Sequence, residues 1–161
     1  MIVDFKNISN NSRVWIYQSN EKLNLSDIKL INKKSNEFIK SWKAHNKDLK
    51  SAYTILHNHF LIIAIDEDFN PIGGCSIDHS LRLIKDISNT INKNLLDRRI
   101  IIYKENNLIK SISLSELKTQ INKGLFSTDT IIFDTTINSK QDLLDKFEVK
   151  LSSSWISKFL R

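Results

Sequence analysis

The sequence predicts an α+β fold, a mixed or antiparallel sheet with helices packed on it, built by a single domain over residues 1–161. Two observations point there. Short runs rich in β-branched and aromatic residues alternate with longer stretches whose apolar residues recur at helical spacing. The chain also has only one Pro and three Gly, so no flexible linker divides it.

Arg13-Val14-Trp15-Ile16-Tyr17 reads as a first strand. A helix follows, with Asn24 as N-cap, Asp27 at N3 and Leu23 and Ile28 as staple partners. Its apolar stripe is Ile28, Ile31, Phe38, Ile39 and Trp42, with a polar gap at Ser35, and Asn46 can end it in the left-handed conformation. Ala52 to Leu56 and Phe60 to Ile65 read as two strands turned at His57-Asn58-His59, with one long strand as the alternative. Pro71, Gly73 and Gly74 break the chain before a helix from about Ser76 to Ile91, whose stripe is Ile77, Leu81, Ile84, Ile87 and Ile91. Arg99 to Tyr103 and Leu108 to Ile112 form a hairpin across Asn106-Asn107, two residues that tolerate positive φ. Ser113 and Glu116 make a capping box for a short helix that Gly124 closes. Thr130 to Asp134 is the last strand. Ser139 with Asp142 opens a C-terminal helical region carrying Leu143, Leu144, Phe147, Leu151, Trp155 and Phe159. The first six elements thus follow β-α-β-β-α-β, the ferredoxin-like order, with a C-terminal helical extension.

Composition narrows the function classes. The longest apolar run, Phe60 to Ile65, is too short to span a bilayer, so no membrane insertion is expected. Met1-Ile2-Val3-Asp4-Phe5-Lys6 shows no signal-peptide pattern, and a lone Cys75 gives no internal disulfide. Both point to a cytoplasmic protein. The net charge of +6 suggests an acidic partner such as RNA. Against that, 25 Ile, 19 Lys and 17 Asn stand beside only 5 Arg, a bias expected from A/T-rich codons alone. Residues 29 to 50 hold seven Lys against Glu37 and Asp48. Lys29, Lys33, Lys40 and Lys47 recur there at heptad-like intervals, as a phosphate-facing stripe or a solvated face.

Phe60 to Glu67 resembles a Walker B strand, in which Asp66 would meet magnesium and Glu67 the attacking water. The phosphate-cradling Gly-x-x-x-x-Gly-Lys-Ser/Thr loop is absent, so no ATP hydrolysis is expected, and no cofactor is implied. Gly73-Gly74-Cys75-Ser76-Ile77-Asp78 has two readings. As a site, Gly73, Gly74, Ser76 and Asp78 would form an anion nest at a helix start. Cys75 would be the nucleophile there, with His57, His59 or His79 as its base. As structure, Cys75 is a small buried hydrophobe and Ser76 caps the helix, which the frequency of inert buried cysteines favours. The His and Cys spacing fits no zinc pattern, so no metal site is read.

Arg13-Val14-Trp15-Ile16-Tyr17-Gln18, Trp42-Lys43-Ala44-His45, Phe60 to Glu67, Gly74-Cys75-Ser76-Ile77-Asp78 and Ser154-Trp155 together resemble a small family of Bacteroidetes proteins. Its members often carry the label "ABC transporter ATPase". The family's pattern has Gly after Ala44-His45, where this chain has Asn46. The resemblance supplies no catalytic residues. The reading that follows is a cytosolic accessory or binding protein without catalysis of its own, acting on a protein partner. A thiol enzyme or anion-binding protein centred on Cys75 is one alternative. An RNA- or ribosome-associated protein using the Lys-rich helix is the other. Nothing in the sequence specifies an oligomeric state.

Overall fold

Capping and turn chemistry set the element boundaries. In the computed structural model, which describes residues 1–160, Arg13–Gln18 form β1 and Leu25–Lys40 form α1. The Asn24 side chain accepts from the Asp27 N–H at 2.9 Å, and Asp27 accepts from the Asn24 N–H at 2.9 Å, the predicted capping box. The helix ends before its apolar stripe does, at the C-cap Ser41. Trp42 lies beyond it, buried, and its Nε1 donates to the Ser76 carbonyl at 3.0 Å. Asn46 is left-handed (φ 63°), but it does not end the helix. With His45 (φ 50°) it turns a small hairpin between β2 (Lys43–Ala44) and β3 (Lys47–Asp48).

β4 (Ser51–Leu56) and β5 (Phe60–Ile65) are separate strands, turned at His57 and Asn58, both with φ of 55°. The first sheet has the order β1-β5-β4 and is antiparallel throughout, running from Arg13↔Ile65 to Gln18↔Phe60 and from Ser51↔Ile65 to Leu56↔Phe60. All six β5 residues are buried, because both faces of this sheet are covered. On one face Tyr17, Leu61, Ile63 and Ile65 meet Ile31 and Ile39 of α1 and Ile84 and Ile87 of α2 (Gly74–Ile91).

The phase of α2 departs from the predicted stripe. Ser76 and Ser80 face inward with Ile84 and Ile87, while Ile77 and Leu81 are half-buried. The helix begins two residues early, with Gly73 as its cap, so Ser76 is not the cap. Instead the Ser76 hydroxyl donates to the Lys43 carbonyl at 2.8 Å, and the small side chain lets α2 lie against the β2 segment.

Apart from the inserted β2–β3 hairpin the β-α-β-β-α-β order holds, yet the first sheet stops at three strands. β6 (Ile100–Glu105) joins β7 (Leu108–Ser113), β8 (Ile131–Phe133) and β9 (Glu148–Lys150) in a second antiparallel sheet of order β7-β6-β8-β9. Other chain already occupies the outer edge of β1. The Val14 N–H donates to the Asn138 carbonyl at 3.0 Å, and the Lys140 N–H donates to Ser12 at 2.9 Å. The Gln18 carboxamide holds the Asp97 and Ile100 carbonyls at 3.1 and 3.0 Å, so β6 starts beside β1 without pairing to it. Ile102 of β6 and Phe133 of β8 then pack against Val14, Ile16, Phe60 and Ile62 on the second face of the first sheet.

The far side of the second sheet is covered by α3 (Leu114–Asn122), through Leu117, and by two C-terminal 3₁₀ turns, through Leu151 and Ile156. Ser113 and Ser139 cap their helices, accepting from the Glu116 and Asp142 N–H groups; the Glu116 carboxylate does not reach back to the Ser113 N–H, so the predicted capping box is half formed, and Gly124 (φ 68°) follows α3. The predicted C-terminal helical region is not continuous. α4 (Lys140–Lys146) gives way to β9, because Glu148, Val149 and Lys150 pair with β8. Leu144 is left 61% exposed. Among the described residues no helix is long and apolar enough to cross a membrane.

Candidate functional site

The residues singled out from the sequence do not converge. His57 and His59 sit at the β4–β5 turn, beside Leu56 and Phe60, while Cys75 follows the opposite end of β5. Six strand residues separate those ends by about 17 Å. The start of α2 is tied to that far end through Trp42 and Lys43. His59 is buried, and its Nδ1 lies 2.8 Å from the Ser19 carbonyl, so the ring pins the end of β1. Cys75 is exposed, which overturns the expectation of a buried thiol. His79, one helical turn on, is exposed as well. Gly73 faces the His45 ring, whose Nε2 would lie 3.3 Å from a Cβ placed there, and Gly74 has open space around it. Asp78 is exposed. Among the described residues no group of three or more His, Cys, Asp or Glu is placed to hold a metal ion. With the thiol at the surface, iodoacetamide should label Cys75 in the folded protein under native conditions. Labelling that waits for denaturant would contradict this placement.

The Walker B-like acids are engaged locally. Asp66 accepts from the Asp68 N–H at 3.2 Å and faces Lys50 at 3.7 Å, and Glu67 faces Arg13 at 3.6 Å. The Lys-rich segment is partly neutralised too. Lys34 pairs with Asp86, Lys43 with Asp48 and Lys50 with Asp66. Lys29, Lys33 and Lys40 are exposed on α1 and Lys47 on β3, so the four keep a common solvent exposure without forming a cleft.

A broad concavity lies elsewhere. An open cleft of about 1010 Å³ is bordered by the N-terminal segment from Ile2 to Lys6, by β4, by Asn36 of α1 and by α4 with the start of β9. Val3, Phe5, Leu56, Leu143 and Phe147 give it an apolar lining, and Leu144 stands at its lip. His57 of the β4–β5 turn also lines it and is exposed. That ring lies 4.8 Å from Phe133, and Phe60 and Phe147 are also within 6.5 Å. Nε2 lies 3.8 Å from Glu148, which also pairs with Lys104. Burial lowers the His57 pKa below the ordinary imidazole value. Glu148 opposes this, while Lys104 and His59 add to it. His57 also lines a second hollow, of about 720 Å³, against β6 and β7. The sequence marked His57 but missed this setting. The cleft walls come from residues 2–6, 53–57 and 143–148, which share no local pattern.

Compared with protein-family models, with curated proteins and with solved structures, the chain finds no match.

Proposed function

We propose that this chain is a cytoplasmic, non-catalytic binding or accessory protein, a member of the Bacteroidetes family it resembles, and that it holds a protein partner in the cleft between β4, the N-terminal segment and α4. The observation that carries this reading is the apolar lining of that cleft, with Leu144 61% exposed at its lip. An exposed leucine beside a large apolar hollow is what a docking surface leaves uncovered in the free protein. Cys75 stands apart from His57 and His59, and with His79 it lies on an exposed helix face rather than in the cleft. The missing phosphate loop argues against reading the family's label as an activity.

The test is affinity purification of the tagged full chain from its native cell, beside the Leu144→Asp variant. Burying a leucine is worth about 1.5–3 kcal/mol, so the variant should retain roughly ten- to hundredfold less partner. The exposed position leaves the fold untouched. Equal retention by both proteins would refute the cleft as the docking site.

A further inference from the structure

β4 is an edge strand, paired with β5 on one side only. Its outer edge is used by the chain itself at one position. The Val3 N–H donates to the Ser51 carbonyl and the Ser51 N–H to the Met1 carbonyl, each at 3.0 Å, in a short parallel bridge. Strand geometry then fixes which groups point outward. Ser51 faces outward, so Tyr53 and Ile55 do as well, while Ala52, Thr54 and Leu56 face β5. The chain leaves the edge after Val3, turning at Asp4, whose carbonyl accepts from the Asn7 N–H. Past that point, no backbone partner for Tyr53 or Ile55 is present on the outer side among the described residues.

This open edge lies between two hollows. The large cleft reaches it at Tyr53, Thr54 and Leu56, and a smaller hollow of about 380 Å³ reaches it from the α1 side at Ile28, Asn32 and Ile55. Asn32 and Asn36 of α1 hold the Tyr53 hydroxyl at 3.0 and 2.9 Å, so the wall of the groove is ordered before any ligand arrives. An open strand edge between two walls invites another strand, and a long apolar edge left bare is a liability that proteins ordinarily blunt. The rim is acidic although the whole chain is basic. Asp4, Asp145 and Glu148 are exposed around the cleft, against Lys6. Glu148 is paired with Lys104 and Asp4 stands in the field of the buried Lys140 ammonium, whereas Asp145 accepts only from the Gln141 carboxamide, which leaves its charge without a basic partner.

We infer that the partner docks by strand addition: an extended segment of the partner protein, apolar at alternate positions and carrying Lys or Arg, pairs with the Tyr53 and Ile55 backbone and continues the row that residues 1–3 begin. This rests on the cleft being the docking site and names how it is used. Main-chain bonds supply affinity in such complexes, and side-chain pockets on alternate residues supply choice. The apolar residues enter the lining around Leu56 and Phe147, and a basic one meets Asp145.

The test begins with a displayed library of random nine-residue peptides selected on the full chain, followed by synthesis of the enriched peptide. Enriched sequences should alternate apolar residues with Lys or Arg. Bound peptide should slow amide exchange at Tyr53 and Ile55 by at least about tenfold, since those N–H groups become paired. Methylating the peptide's amide nitrogens at alternate positions should lose at least about tenfold in affinity in one phase of alternation and much less in the other. Ile55→Pro removes an outward N–H at a position where an edge strand accepts proline, and should lose binding while still unfolding cooperatively. If that variant does not fold, the methylated peptides carry the same comparison. Enrichment of acidic peptides, or of none, would overturn the inference. Peptides that shift the Leu143 and Phe147 signals without slowing Tyr53 and Ile55 would also overturn it, while leaving the cleft itself as the docking site.

Discussion

Asp27→Ala should destabilise the protein by about 3 kcal/mol, the cost of leaving a nearly buried cation without its partner. Asp27 does two jobs in α1. It closes the capping box with the Asn24 N–H, and it takes the Lys93 ammonium at 2.8 Å, where the two side chains are only 7% and 16% exposed. Lys93 follows α2, so the pair ties the start of one helix to the end of the other. For a chain of this size the loss corresponds to a fall in Tm of roughly 6–12 °C. The pH dependence has a definite sign. Burial pushes the Asp27 carboxyl upward, but the bonds from Lys93 and the Asn24 N–H outweigh it and hold the group below the ordinary carboxylate value. A depressed folded value means the unfolded chain binds more protons. The contribution is therefore complete above the unfolded value of about 3.9 and is lost as the pH falls through the lower folded value. Urea unfolding from neutral to acid pH measures both effects. A loss below about 1 kcal/mol, or an acid limb identical in Asp27→Ala and wild type, would contradict the assignment.

Phe60→Ala should cost about 4 kcal/mol, the middle of the range for truncating a buried aromatic. Phe60 is wholly buried, 5.0 Å from Phe133 and 4.9 Å from Phe147 in an edge-to-face contact. These rings come from β5, β8 and the end of α4, so the cluster joins the two sheets. Phe60→Leu keeps most of the volume and should cost about 1.5 kcal/mol or less. Equal losses for the two substitutions in equilibrium unfolding would show that the rings do not pack as described.

Much of the fold was legible because local chemistry specifies it. Asn24 with Asp27, Ser113 with Glu116 and Ser139 with Asp142 each start a helix where the sequence places it, and Asn106-Asn107 turns its hairpin with φ of 51° and 63°. The misreadings arise where tertiary pairing overrides periodicity. Leu143, Leu144, Phe147 and Leu151 have helical spacing, yet β9 takes Glu148 to Lys150 because β8 offers an unpaired edge. The buried face of α2 carries Ser76 and Ser80, which a hydrophobic pattern cannot mark, since Ser76 is covered by Trp42 and Lys43 and Ser80 meets the Tyr17 hydroxyl, all from other segments. Cys75 was read as buried from the habits of its residue type, whereas its position in the first turn of α2 turns it to solvent. The cleft was not legible at all. It exists because residues 1–3 bridge to Ser51 while Lys140, a buried lysine, holds the Lys6 and Ile8 carbonyls and fixes α4 opposite the strand.

The most direct test of the docking account is amide hydrogen exchange across the full chain, with and without the partner recovered from native cells. Residues 53–57 and 141–148 should gain protection together, because they form opposite walls of one cleft. The segments 73–79 and 29–47 should exchange as they do in the free protein. Protection confined to 73–79 would place the ligand at the start of α2 beside Cys75, and protection confined to 29–47 would place it on the lysine face. Either result, with the cleft unchanged, would contradict the account.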